Sequence, residues 1–155
     1  MHGKPIHLLC VGKLKLSFCK EGCALYVARL QQFRKLCITE VHDGEAKEAK
    51  LRNEQEGKLL LQSLPSSPYT IILDEQGKPL NSLELSALLQ NLNLQGKEPC
   101  FVLGGPYGLS PKVKAQGNLC FSLSNLTLPH ELARLLLLEQ LYRAECITRR
   151  IPYHH

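Results

Sequence analysis

"FVLGGPYGLSP", residues 101–111, is the stretch from which the fold can be worked out. Three apolar residues run into two adjacent glycines, a proline, a third glycine and then Ser-Pro. Such a run stops a strand abruptly, leaves backbone bare of side chains and restarts the chain as a helix. Ser110 suits the N-cap of that helix and Pro111 its first position.

Working outward, apolar β-type runs alternate with helix-like stretches on both sides. "IHLLCV" (6–11), "LCITEV" (36–41), "YTIILD" (69–74), "CFVL" (100–103) and the short "CFS" (120–122) read as five strands. Helices are expected over residues 20–33 and 46–64, from a Ser82 cap to Gly96, briefly after Ser110, and from Pro129 to about Ile147. "EQGKP" (75–79) reads as a turn. Strands separated by helices of this length need crossover connections, hence a parallel sheet. Residues 1–155 form one α/β domain on this reading, with no repeat, linker or low-complexity segment.

Composition narrows the class. Of 155 residues, 44% are hydrophobic and 21% charged, ordinary values for a soluble domain with one core. No apolar run approaches the ~20 residues that span a bilayer, and the start lacks a secretory signal, so the chain reads as cytoplasmic with no membrane partner. Seven cysteines are an odd number at irregular spacing, which argues against a disulfide framework. Cys10, Cys37, Cys100 and Cys120 sit in or beside strand runs, as small hydrophobes do. Cys19 and Cys23 could hold two corners of a metal site, but no second pair follows, so no metal is expected.

Binding sites in such sheets lie beyond the carboxyl ends of the strands. Leu73-Asp74, Gly104-Gly105 and "LSNLTLPH" (123–130) occupy three of those ends. The glycine loop lacks the Gly-Lys-Ser/Thr of a phosphate-magnesium loop and the G-x-G-x-x-G of a dinucleotide fold. Residues 123–128 carry no charge, and apolar walls with backbone donors suit adenine and ribose better than a triphosphate. On the glycines alone, a simple tight turn explains the stretch equally well.

The last helix and tail carry further signals. At 100° per residue, Leu137, Leu141 and Ala144 share one side, while Leu135, Tyr142 and Cys146 lie nearly opposite. The second stripe needs a cover, and in a chain with few helices another copy of the chain is the expected one, burial against a neighbouring helix being the alternative. Net charge is +5, from 19 Lys and Arg against 14 Asp and Glu. The end of the chain gathers Arg143, Arg149, Arg150, His154 and His155 around Tyr153, a pattern that can grip phosphate and stack a base. A frayed, solvated tail is the plainer alternative.

"LGGPYGLSP", "FSLSNLTLPHELARLLLLEQLYRA" and the terminal "PYHH", with "VGKLK" and "LDEQGKPLNS" in matching order and spacing, resemble the bacterial ribosomal RNA large subunit methyltransferase H family, of the SPOUT class. The resemblance covers the whole chain. It implies a parallel-sheet α/β fold with a deep C-terminal trefoil knot, replacing the unknotted sheet expected from general rules. It implies S-adenosylmethionine as methyl donor, and N3 of pseudouridine 1915 in 23S rRNA of the assembled ribosome as the target. It also implies a homodimer, with no DNA partner. Carried over by position, the cofactor contacts are Leu73, Gly104, Leu123, Ser124, Asn125, Leu126, Thr127 and Leu128. No role follows for Tyr107, and nothing carries over to "HDGEAKEAK" (42–50).

An electrophilic sulfonium methyl mainly needs N3 placed in line and water excluded. The N3 proton must leave, through a base or a cationic neighbour that stabilises the anion. Arg143 can supply the charge and His154 the proton chemistry. Arg149, Arg150 and Tyr153 can hold substrate RNA. His130 is the rival to His154, though a cap or knot contact explains it as well. A catalytically silent RNA-binding or ribosome-assembly dimer is the competing function, and a nucleotide-binding protein without RNA a third.

Overall fold

The computed structural model describes residues 3–155. Strands β1 (Ile6–Val11), β2 (Leu36–Val41), β3 (Pro68–Pro79), β4 (Glu98–Leu103) and β5 (Leu119–Ser122) form one sheet in the order β2-β1-β4-β3-β5. Every pairing is parallel, as the helical spacing of the strands requires. Helices α1 (Ser17–Gln31), α2 (Ala49–Gln62), α3 (Ser82–Leu94) and α4 (Pro111–Lys114) make the crossovers, and α5 (His130–Thr148) follows β5.

Side-chain alternation along the central strands builds two cores. Ile6, Leu8 and Cys10 of β1, with Phe101 and Leu103 of β4, pack against Leu30 of α1, Leu85 and Leu89 of α3, and Leu137 and Leu141 of α5. Leu9 and Val11, with Cys100 and Val102, turn to the other face, against Leu60 of α2 and Val113 of α4. Burial on both faces explains why these strands read as continuous apolar runs. Each fully buried aliphatic or aromatic side chain contributes about 1.5–3 kcal/mol.

Several boundaries differ from the sequence reading. The α2 helix starts at Ala49 rather than residue 46. Gln55 Oε1 accepts the N–H groups of Glu45 and Ala46, and Glu56 Oε2 that of Gly44, so helix side chains take the N–H groups of the segment that precedes α2. The "EQGKP" turn is a bulge within β3. Leu73 and Lys78 both pair with Phe121, and the strand resumes to Pro79. Asn81, not Ser82, caps α3: its side chain accepts the Glu84 N–H while Glu84 accepts that of Asn81. Such a cap contributes ~1 kcal/mol. Ser82 instead donates to Gln140 Oε1 at 2.6 Å. Ser110 and Pro111 open α4 as expected.

The second apolar stripe of α5 finds its cover within the chain. Cys146 is fully buried, Leu135 lies against Gly22 of α1, and Tyr142 stacks with Phe33 and meets Tyr26. That stripe therefore gives no argument for a second copy. Five cysteines are buried, and burial pushes the thiols of Cys10 and Cys100 up to about 12 and that of Cys23 up to about 11. Cys120, expected to sit as a small hydrophobe, is exposed on the outer strand β5.

Candidate functional site

Because β4, β3 and β5 are adjacent and parallel, their carboxyl ends bring Leu73, Gly104 and residues 123–128 to one edge. Gly104 leads into a tight reversal closed by the Gly108 N–H on the Gly105 carbonyl at 3.0 Å. A Cβ on Gly104 would stand 2.6 Å from the Gly108 carbonyl oxygen. The missing side chain thus lets the loop fold on itself. A larger residue there would clash first with the loop's own backbone.

The 123–128 segment is held more lightly. Ser124 Oγ accepts the Leu126 N–H, its carbonyl accepts Ser122 Oγ, and Thr127 Oγ1 donates to Glu75 Oε2 at 2.9 Å. Asn125, Leu126 and Thr127 are exposed, Leu126 to 74%, while Leu73, Leu123, Ser124 and Leu128 are half-buried. Half-buried leucines beside an uncharged, partly exposed segment suit a flat, mostly neutral ligand. Next to Leu73 in the chain, Asp74 pairs with Lys114 at 2.7 Å. The Asp74 carboxyl is pushed up by burial, but Lys114 and the Gln76 N–H pull it below its ordinary value.

Residues 5–154 match the family model described as "Predicted SPOUT methyltransferase". Proteins named Ribosomal RNA large subunit methyltransferase H are 46% identical in Desulfovibrio desulfuricans, over 100% of both chains, and 46% in Nitratidesulfovibrio vulgaris, over 98% and 99%. The chain belongs to the ribosomal RNA large subunit methyltransferase H family. Its fold is shared with a probable methyltransferase from Bordetella pertussis, at TM-score 0.55, 13% identity and 92% and 95% coverage. A probable methylase family protein from Haemophilus influenzae gives TM-score 0.51 at 13% identity, over 99% of this chain and 71% of that one.

In this family member the tail residues gather around α5. The chain reverses at Arg150, where φ is +57°, and Tyr153 returns to pack edge-on against Tyr142 at 4.8 Å. Glu139 Oε1 is the hub. It accepts Arg143 Nε at 3.0 Å, Arg143 Nη2 at 2.6 Å and the Tyr153 hydroxyl at 3.0 Å. Arg143 lies over the Tyr153 ring, and its Nη1 is 3.3 Å from His154 Nδ1. A guanidinium only donates, so Nδ1 accepts and the neutral imidazole carries its hydrogen on Nε2. Burial, then hydrogen bonds with Tyr26 and Glu139, push the Tyr153 phenol far up, so it stays protonated as a framing group.

Arg149 is placed otherwise than a phosphate contact would be. It donates to Glu145 Oε2 at 3.0 Å and to the Phe33 carbonyl at 2.9 Å, and Glu145 also holds the buried Arg34 at 3.1 Å. Arg150 is exposed. His130 is the first residue of α5, half-buried. A cavity of about 100 Å³ lies beside the Arg34–Glu145 pair, between α3 and α5, and shares no lining residue with the three loops.

Sequence reading missed the supports of the glycine loop. Asn53 Nδ2 donates to the Tyr107 carbonyl at 2.9 Å, Arg52 covers the Tyr107 ring at 5.3 Å, and Gly105 lies close to Glu56. All three come from one stretch of α2. Only the i, i+1, i+4 placement of polar groups on a helix bordering that loop hinted at them.

Proposed function

We propose that this protein transfers a methyl group from S-adenosylmethionine to N3 of pseudouridine 1915 in 23S rRNA of the assembled ribosome. Membership in a family whose relatives carry the rRNA methyltransferase name supports it, together with the joining of Leu73, Gly104 and residues 123–128 at one sheet edge. That juxtaposition carries the reading. The donor set fits the cofactor: backbone groups and aliphatic side chains surround a site whose 123–128 rim bears no charge. When bound, S-adenosylmethionine supplies an electrophilic sulfonium methyl.

The chain's own residues bind, orient and manage one proton. Leu73, Leu123 and Leu128 offer an apolar surface, and the backbone of Gly104 and of residues 124–127 offers hydrogen-bonding groups. Arg143 lends positive charge to the anion that forms as N3 loses its proton. His154, with its hydrogen on Nε2, can donate to that anion; accepting the proton at Nδ1 requires its bond to Arg143 to open. Tyr153 frames the base, and Arg150 is the tail arginine free to meet a phosphate.

These two groups of residues need a second copy. Glu139 and Arg143 lie nine and thirteen residues beyond His130 on α5, about 14 and 20 Å along the axis. Methyl transfer needs reacting atoms ~3–3.5 Å apart. A homodimer in which one tail enters the partner's loop site resolves the gap. A cytoplasmic enzyme without metal completes the proposal. Incubation with labelled S-adenosylmethionine and ribosomes lacking the modification should place label on N3 of that pseudouridine. Label elsewhere, or none, overturns the reading.

A further inference from the structure

Two buried charges at the start of α5 are spent on the loop between β1 and α1. Glu131 Oε1 accepts the N–H of Lys15 at 2.7 Å and of Leu16 at 3.0 Å. Arg134 donates to the Gly12 carbonyl at 2.9 Å and pairs with Glu40 of β2. Both side chains are almost wholly buried, and desolvating charged groups costs several kcal/mol each unless partners offset it. Gly12 itself sits at φ +78°, with the space for a Cβ taken by Asp43. The loop is thus held in one shape by its own glycine, by two side chains of α5 and by Asp43 after β2.

What that shape displays is positive charge. Leu14 packs inward against the core, while Lys13 and Lys15 on either side of it are exposed. Neither has an ion-pair partner among the described residues. Exposed Phe18 and Lys20 follow, and the first turn of α1 contains no acid. The loop also lies where substrate must approach. β1 is the neighbour of β4 and parallel to it, so residues 12–16 share the sheet edge with Gly104. Glu131, which grips the loop, stands three residues beyond Leu128.

The tail alone supplies less phosphate-binding charge than its sequence suggests, because Arg143 and Arg149 are committed to Glu139 and Glu145. We infer that the 12–16 loop is an RNA-backbone contact, with Lys13 and Lys15 meeting phosphates that flank the nucleotide being methylated. This rests on the RNA-methylating reading above. RNA is favoured over an acidic protein segment because two unpaired ammonium groups on a fixed loop, with an exposed aromatic ring close in sequence, match phosphates and a base.

Steady-state methylation of unmodified ribosomes, measured over a salt series, tests it. For Lys13→Ala/Lys15→Ala, KM should rise about tenfold while kcat stays within about twofold. The slope of log(1/KM) against log salt should shrink by about 1–2, at ~0.7–0.9 for each phosphate the protein no longer neutralises. S-adenosylmethionine binding by calorimetry should be unchanged. Lys13→Arg/Lys15→Arg should restore KM and slope, and Lys35→Ala, at the opposite sheet edge, should change neither. Inert wild-type protein would overturn both readings. Active wild type with an unchanged KM in the double alanine variant would overturn this one alone, as would a raised KM with an unaltered salt slope.

Discussion

The two halves of the proposed site are built by opposite means. At the carboxyl edge of the sheet, the glycine loop is shaped by backbone: Gly108 closes on Gly105, and a Cβ at Gly104 has no room. At the tail, everything depends on side chains, with Arg143 and Tyr153 converging on Glu139 and His154 held by Arg143. A backbone-made half is complete as soon as the strands pair. A half made of long side chains can be redirected, because exchanging partners costs rotamers rather than the fold. The comparison teaches a division of labour, in which the rigid half would hold the cofactor and the adaptable half would meet the RNA.

The sharpest way to break that division is to remove the adaptable half. Deleting Tyr153–His155 should cost about a hundredfold or more in ribosome methylation, the scale of a reacting group lost from position. Calorimetric S-adenosylmethionine affinity should hardly move. Mixed dimers sharpen the point. One protomer lacking the tail, paired with one carrying Gly104→Ala, retains a single site with an intact loop and an intact tail only if tails act across the dimer. Methylation recovered on mixing the two chains supports that arrangement, and none recovered assigns both halves to one protomer.

Breaking the rigid half should have the next largest effect. Gly104→Ala places a Cβ 2.6 Å from the Gly108 oxygen, so the reversal must open. Overpacking of this kind costs ~1–3 kcal/mol. Because the strain falls on the loop, S-adenosylmethionine affinity should drop about tenfold or more, while the melting temperature falls by ~2–4 °C for each kcal/mol of strain. A variant that binds the cofactor normally would show that the loop's shape is not what binding uses.

Apolar runs alternating with helical stretches, and the Ser110–Pro111 cap, made the sheet and the site-bearing edge legible in the sequence. Local chemistry states those features: apolar runs, a glycine pair, and a Ser-Pro pair suited to a helix start. Long-range side-chain pairing was not legible. Nothing local says that Asn53 holds the Tyr107 carbonyl, that Glu131 shapes a loop 115 residues away, or that Glu145 commits Arg149. The stripe through Leu135, Tyr142 and Cys146 misled for the same reason. Periodicity shows that a face is apolar, and only the fold shows that α1 covers it.

Acid should loosen the rigid half through its carboxylates. Burial pushes Glu131 up, but the N–H groups of Leu16 and Lys15, then His130 and Arg134, bring it below its ordinary value; Asp74 is likewise depressed. A depressed folded-state value stabilises the protein above the unfolded value of ~4, and that contribution disappears as pH falls through the lower folded value. Wild-type protein should therefore exceed Glu131→Gln in melting temperature at pH 6, with the gap closing below about pH 4. A gap that persists undiminished at pH 3 would mean the carboxylate's charge is not what stabilises the loop.

The smallest effect should come from a side chain on the loop that backbone is proposed to serve. Thr127 Oγ1 reaches Glu75 Oε2 across an exposed gap, tying the 123–128 segment to the β3 bulge. A net hydrogen bond contributes about 0.5–1.5 kcal/mol, and water competes for one this exposed, so the low end applies. Thr127→Val keeps the β-branched shape and removes only the hydroxyl. Melting temperature should barely respond, and S-adenosylmethionine affinity should weaken no more than about threefold. If the loss instead approaches that of Gly104→Ala, the hydroxyl itself is a ligand-binding group. The carboxyl edge would then read its cofactor through side chains, as the tail is proposed to read RNA.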